Sequence, residues 1–205
     1  MTIFFQVLPA SAIEAAELDG IVSRLQETYD EVSTLSAAFI EEAYSKSLGT
    51  TELSKGKLHL KKPGKVRWKY LGPREDELVS DGRTFWAYHP DLSQVIETPA
   101  SNIAPNVGIN FLMGMGNLRE DFSIKLLEEK KDVYLLALTP AEAQQGVKDI
   151  RIEVSRKSSL VVKTIVEDPF GNRTTVSLED IVLNAELKDS LFEFIVPKGV
   201  KVITP

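Results

Sequence analysis

The sequence predicts a mainly β chain, an α+β fold in a single domain, on three observations. Apolar residues recur at every second position from Gly56 to Val95, and the same alternation resumes between Phe122 and Leu183. Only one long stretch, from Glu17 to about Leu35, carries the three- and four-residue spacing of an amphipathic helix. The 205 residues suffice for one domain with a substantial core, and no repeat or low-complexity linker divides them.

Residues 1–16 hold a short apolar patch from Ile3 to Leu8 and then Ala10-Ser11-Ala12, the small-x-small pattern that precedes a signal-peptidase cut. A basic n-region and a full-length apolar run are missing, so this segment reads as a truncated signal or as a frayed, disordered end. The folded domain is then 17–205. The chain has no cysteine, so no lipid attachment follows such a cut, and disulfides, thiolate metal sites and cysteine nucleophiles are ruled out.

In the helical stretch, Leu18, Ile21, Val22, Leu25, Tyr29 and Val32 form one stripe, with Asp19, Arg24, Glu27 and Asp30 between them. Such a stripe must bury against something, either a permanent core or a surface that it covers reversibly.

Strands are expected at Leu35 to Tyr44 and Thr51 to Lys61. Leu58 and Leu60 share a face, Lys62-Pro63-Gly64 reverses the chain, and Val66, Trp68 and Tyr70 then oppose Lys65, Arg67 and Lys69. After Pro73, Leu78 and Val79 lead to Asp81-Gly82, a dipeptide suited to a tight hairpin, and Thr84, Trp86 and Tyr88 follow on one face. With Gln94 to Thr98 this makes a meander of roughly five antiparallel strands. By itself its aromatic face reads as an ordinary sheet core.

Pro99, Pro105, Gly108, Gly114 and Gly116 interrupt the alternation, and the apolar run Gly108 to Gly114, which includes Phe111, reads as a short helix or a buried loop. Further strands are expected at Phe122 to Leu127, Val133 to Leu138, Ile150 to Val154, Leu160 to Glu167 and Arg173 to Leu183, with Ala141 to Val147 a polar loop.

A formal net charge of -6 and a pI near 5.1 argue against nonspecific attraction to nucleic acid or an anionic bilayer. The apolar run near the N-terminus is far short of a membrane span. His59 and His89 lack metal-ligand spacing, and no nucleophile elbow, phosphate loop or dinucleotide fingerprint occurs. No catalytic residues, metal or cofactor are therefore expected.

One composite pattern is more specific. Gly56, Lys62-Pro63, Arg67-Trp68, Tyr70, Pro73, Leu78-Val79-Ser80-Asp81-Gly82, Trp86, Tyr88 and Gln94-Val95 together resemble the signature of LolA-type outer-membrane lipoprotein carriers. Gly116-Asn117-Leu118, Asp121-Phe122, Phe192-Glu193-Phe194 as a closing strand and the Pro197-Lys198-Gly199-Val200 end extend the resemblance over roughly Glu17 to Val202.

The resemblance implies an unclosed antiparallel β-barrel of about eleven strands, with a helical lid over a hydrophobic cavity for acyl chains. It also implies a monomeric periplasmic chaperone. Such a chaperone takes acylated lipoproteins from an inner-membrane ABC lipoprotein-releasing transporter to an outer-membrane acceptor. On that reading the cavity is lined by Leu58, Leu60, Trp68, Tyr70, Trp86 and Phe111, and the lid contributes Leu25 and Lys62. Lys62 stands where the family most often has an arginine that holds the lid closed. A lysine is a single point donor, so the contact is either rearranged or replaced by a solvated turn lysine beside Lys61 and Lys65. The alternative function is a periplasmic lipid- or lipoprotein-sensing protein of the same half-barrel fold.

Overall fold

The computed structural model describes residues 10–102, 117–142 and 146–205. It is built on one 12-stranded sheet in the order β12-β6-β5-β4-β3-β2-β1-β11-β10-β9-β8-β7, whose two ends do not pair among the described residues. The first half is a meander: β1 (Thr34–Ser45), β2 (Thr50–Lys61), β3 (Lys65–Tyr70), β4 (Glu77–Asp81), β5 (Thr84–His89) and β6 (Gln94–Pro99). The second half comprises β7 (Phe122–Glu129), β8 (Val133–Pro140), β9 (Asp149–Ser155), β10 (Val161–Glu167) and β11 (Arg173–Leu183). β11 pairs back onto β1, and the short β12 (Lys201–Ile203) runs parallel to β6. All other pairings are antiparallel, and bulges at Ser36/Ala38, Leu126/Glu128 and Val161/Lys163 add the local twist that curves such a sheet.

Two details differ from expectation. β12 adds a twelfth strand and lies beyond the expected closing strand: Phe192 ends a 3-10 turn (Asp189–Phe192) and Phe194 follows without strand pairing. Helix α1 runs Ala10–Glu31, so it starts before Glu17, and Leu35 belongs to β1. Residues 1–9 and the run Gly108 to Gly114 lie outside the described residues.

The register sorts every side chain to one of two faces. On the inner face, α1 lays its predicted stripe over the second half of the sheet. Ile21, Val22, Leu25 and Tyr29 pack with Leu136, Leu138, Ile150, Ile152, Val154 and Val161. Each fully buried aliphatic side chain there is worth about 1.5–3 kcal/mol of transfer free energy. The short helix α2 (Leu118–Asp121), capped by the Asn117 side chain, buries Leu118 in the same cluster. A second cluster on that face joins Val32, Leu35, Ala37, Phe39, Leu58, Leu60, Val66 and Leu178.

The outer face of the first half is covered by the C-terminal segment. Phe192 is completely buried there, Arg67 donates to the Leu191 carbonyl, and Asp189 pairs with Lys61 and Lys65. Trp86 and Tyr88 stack on Phe194 with ring centroids 6.1 and 5.6 Å apart.

Candidate functional site

Strands β4 to β6 carry apolar residues on both faces, and β3 carries them on the inner face alone. Outward, Val79 and Val95 are fully buried, and Trp86 and Tyr88 are half-buried beside Phe194 of the C-terminal strap. Inward, the register aligns Trp68 with Leu78, Leu78 with Ala87, and Ala87 with Ile96, while Phe85 flanks them. All five remain only half-buried among the described residues. This stripe continues into the buried cluster through Leu58, which is opposite Trp68, and through Phe39.

The Phe39 ring lies 4.6 Å from Trp68 and edge-on to Tyr70 at 5.1 Å. It can lie so low because its strand partner is Gly56: a Cβ there would stand 2.5 Å from the Phe39 ring and 2.1 Å from the Lys69 carbonyl oxygen. Of the residues expected to line a cavity, the structure therefore brings together Leu58, Leu60, Trp68 and Tyr70.

Trp86 does not join them. The two-residue reversal Gly82-Arg83 exchanges odd and even positions across the β4–β5 hairpin, so Trp86 pairs with Val79 and projects outward. There its Nε1 donates to Glu97 at 3.0 Å. Phe111 lies outside the described residues. The same alignment adds Phe39, Leu78, Phe85 and Ile96, which the sequence reading missed. The Asp-Gly hairpin, once taken as a two-residue loop, carries the signal that would have found three of them.

The expected lid residues sit on or against α1. Leu25 is completely buried, against the second half of the sheet rather than beside Trp68. Lys62 donates from Nζ to the Tyr29 carbonyl in the last turn of α1, where helix carbonyls lack intrahelical partners and the dipole favours a cation. Its backbone N–H also donates to the Ser33 carbonyl at 2.9 Å. Burial pulls the Lys62 ammonium pKa down, and Asp30 acts in the opposite direction.

Toward its N-terminus, α1 is held through α2. Arg119 meets Asp19 at 2.7 Å and Ser23 at 2.9 Å, and Gln26 accepts from the Leu118 N–H at 3.0 Å. Between these elements and β7 lies a cleft of about 250 Å³ lined by Leu18, Val22, Phe122 and Ile124. That is below the roughly 300–1,000 Å³ of a typical small-molecule site. With α1 seated, its own stripe fills the inner face of the second half of the sheet.

His59 shares a 2.9 Å hydrogen bond with Ser36, and His89 faces Asp76 at 3.1 Å. Among the described residues no helix is long and apolar enough to cross a membrane.

Comparison with known proteins decides the family. The model for the outer membrane lipoprotein carrier protein LolA matches residues 30–195. The chain belongs to the LolA family. This LolA-family chain is 30% identical over 196 residues to an outer-membrane lipoprotein carrier protein of Chromobacterium violaceum, covering 96% of this chain and 90% of the relative. A carrier protein of the same description from Bordetella avium is 27% identical, with 96% and 93% covered. Among solved structures, an uncharacterized conserved protein from Thermus thermophilus shares the fold with a TM-score of 0.61 at 11% identity, over 92% of this chain and 99% of that one.

Proposed function

We propose that this protein is a periplasmic carrier that shelters the acyl chains of lipoproteins. It takes them from an inner-membrane ABC transporter and gives them to an outer-membrane acceptor. The observation that carries the reading is the half-buried inner stripe Trp68–Leu78–Ala87–Ile96, continuous with the Phe39–Leu58 cluster beside the half of the sheet that α1 closes. Relatives named outer-membrane lipoprotein carrier proteins along nearly the whole chain support it.

The work is burial rather than bond making. Each methylene withdrawn from water is worth about 0.8 kcal/mol, so a free lipid anchor is strongly disfavoured in solution. Release needs the opposite, a carrier whose empty state is also favourable. The α1 stripe supplies it: the helix already covers the apolar surface next to the Trp68 stripe, so cargo that spreads onto that half of the sheet displaces the helix and net affinity is the difference between two burials. Leu58, Leu60, Trp68 and Tyr70 line the path, with Phe39, Leu78 and Phe85 beside them. Lys62 holds α1 seated between cargoes.

The test is purification from the periplasm followed by mass spectrometry of what is bound. Stoichiometric acylated lipoprotein is expected. Recovery of the protein with no acyl component, under conditions where lipoproteins are being released, would overturn the assignment.

A further inference from the structure

The greasy inner face contains a polar nest. Glu41, Ser54 and Tyr70 meet at the end of the stripe: Glu41 pairs with Ser54 across β1 and β2, and the Tyr70 hydroxyl donates to Glu41 Oε2 at 2.8 Å. Arg74 stands at the rim, 3.6 Å from Glu41 and 3.2 Å from Glu52. Glu41 has therefore found its donors.

Two neighbouring groups have not. The Ser54 hydroxyl, on a residue only 3% exposed, has no hydrogen-bond partner among the described residues, and neither has the Trp68 indole Nε1. Burial first, and then the Glu41 carboxylate, push the Tyr70 hydroxyl pKa up; the nearby Trp68 indole N–H acts weakly the other way, yet it does not reach hydrogen-bond geometry. Ser54 lies two residues from Gly56, Gly56 pairs with Tyr70, and Trp68 lies two residues from Tyr70, so both orphans lie on the inner face, on either side of Tyr70 along the strand direction.

Unpaired buried donors are costly, and alanine and phenylalanine would pack the same patch without that cost. A missing acceptor at the head of an apolar trough fits a carbonyl oxygen at the head of an acyl chain. A buried Glu41 makes the nest hostile to a second negative charge, which selects a neutral ester carbonyl over a carboxylate or phosphate.

Resting on the carrier reading, we infer that Ser54 and Trp68 form a polar subsite that receives the ester carbonyl of a bound acyl chain. The stripe then measures hydrophobic length and the nest fixes where the chain begins.

The test is displacement of a fluorescent acyl probe from the delipidated full chain by monopalmitoylglycerol and by hexadecyl glycerol ether, which differ by the carbonyl alone. The ester is expected to bind about tenfold more tightly, the scale of one buried hydrogen bond. Palmitate should do no better than the ether. In Ser54→Ala and, should that variant fold poorly, in Trp68→Phe, the ester-to-ether ratio should fall toward one. Equal binding of ester and ether by the native protein, or a ratio unchanged in both variants, overturns the subsite and leaves the carrier reading standing. Palmitate binding best overturns the neutral-carbonyl choice. Failure of every acyl compound to bind overturns the carrier reading and the subsite together.

Discussion

At the scale of single residues, Lys62 and Gly56 do most to set the inner face. Lys62 caps the C-terminal end of α1. Lys62→Ala should cost about 1.5–3 kcal/mol, the range for a hydrogen bond to a charged group. It should also speed amide exchange in the last turn of α1, whereas Lys62→Arg should preserve both. Denaturant unfolding and hydrogen exchange check this. Gly56→Ala should cost about 1–3 kcal/mol, because the new methyl meets the Phe39 ring and a backbone oxygen. The expected sign is a lowered Tm together with a disturbed Trp68 environment.

Residue identity was legible where a strand was read alone: Val66, Trp68 and Tyr70 do share a face. It failed across the β4–β5 hairpin. The three-residue turn Lys62-Pro63-Gly64 keeps odd and even positions aligned, while Gly82-Arg83 exchanges them. Period-2 counting therefore placed Trp86 with Trp68, and pairing separated them.

At the scale of elements, α1 and the C-terminal strap share the work of covering the sheet. The α1 stripe was readable from spacing alone, since Ile21, Val22, Leu25 and Tyr29 are the residues it buries. Which half of the sheet it covers was not, because an amphipathic pattern names a buried face and not its partner. Leu25→Ala should cost about 2–5 kcal/mol and weaken the seating of α1, read as faster exchange along that helix.

The strap escaped sequence reading because Phe192 and Phe194 gain their burial from a distant meander rather than from local pairing. Its anchor is acid-sensitive. Hydrogen bonds from Lys61 and then Lys65 hold the Asp189 carboxyl below its ordinary value of 3.8. Its contribution is thus complete above about pH 3.8 and fades as pH falls through the lower folded-state value. Asp189→Asn should flatten that part of the acid limb relative to the native chain, measured by Trp86 fluorescence in a Trp68→Phe background.

At the scale of the whole molecule, the sheet is asymmetric. Its second half is closed by α1 and α2, while Trp68, Leu78, Phe85, Ala87 and Ile96 on the inner side of β3 to β6 stay half-buried among the described residues. The register places the two tryptophans on opposite faces, Trp68 toward the proposed cargo and Trp86 beside Phe194 of the strap. The most direct test titrates a triacylated lipopeptide into two single-tryptophan proteins. With Trp68 alone, in Trp86→Phe, emission should shift on binding and saturate. With Trp86 alone, in Trp68→Phe, it should stay constant. A shift confined to Trp86, or none from Trp68 while the lipopeptide is demonstrably bound, would contradict cargo binding on the inner face.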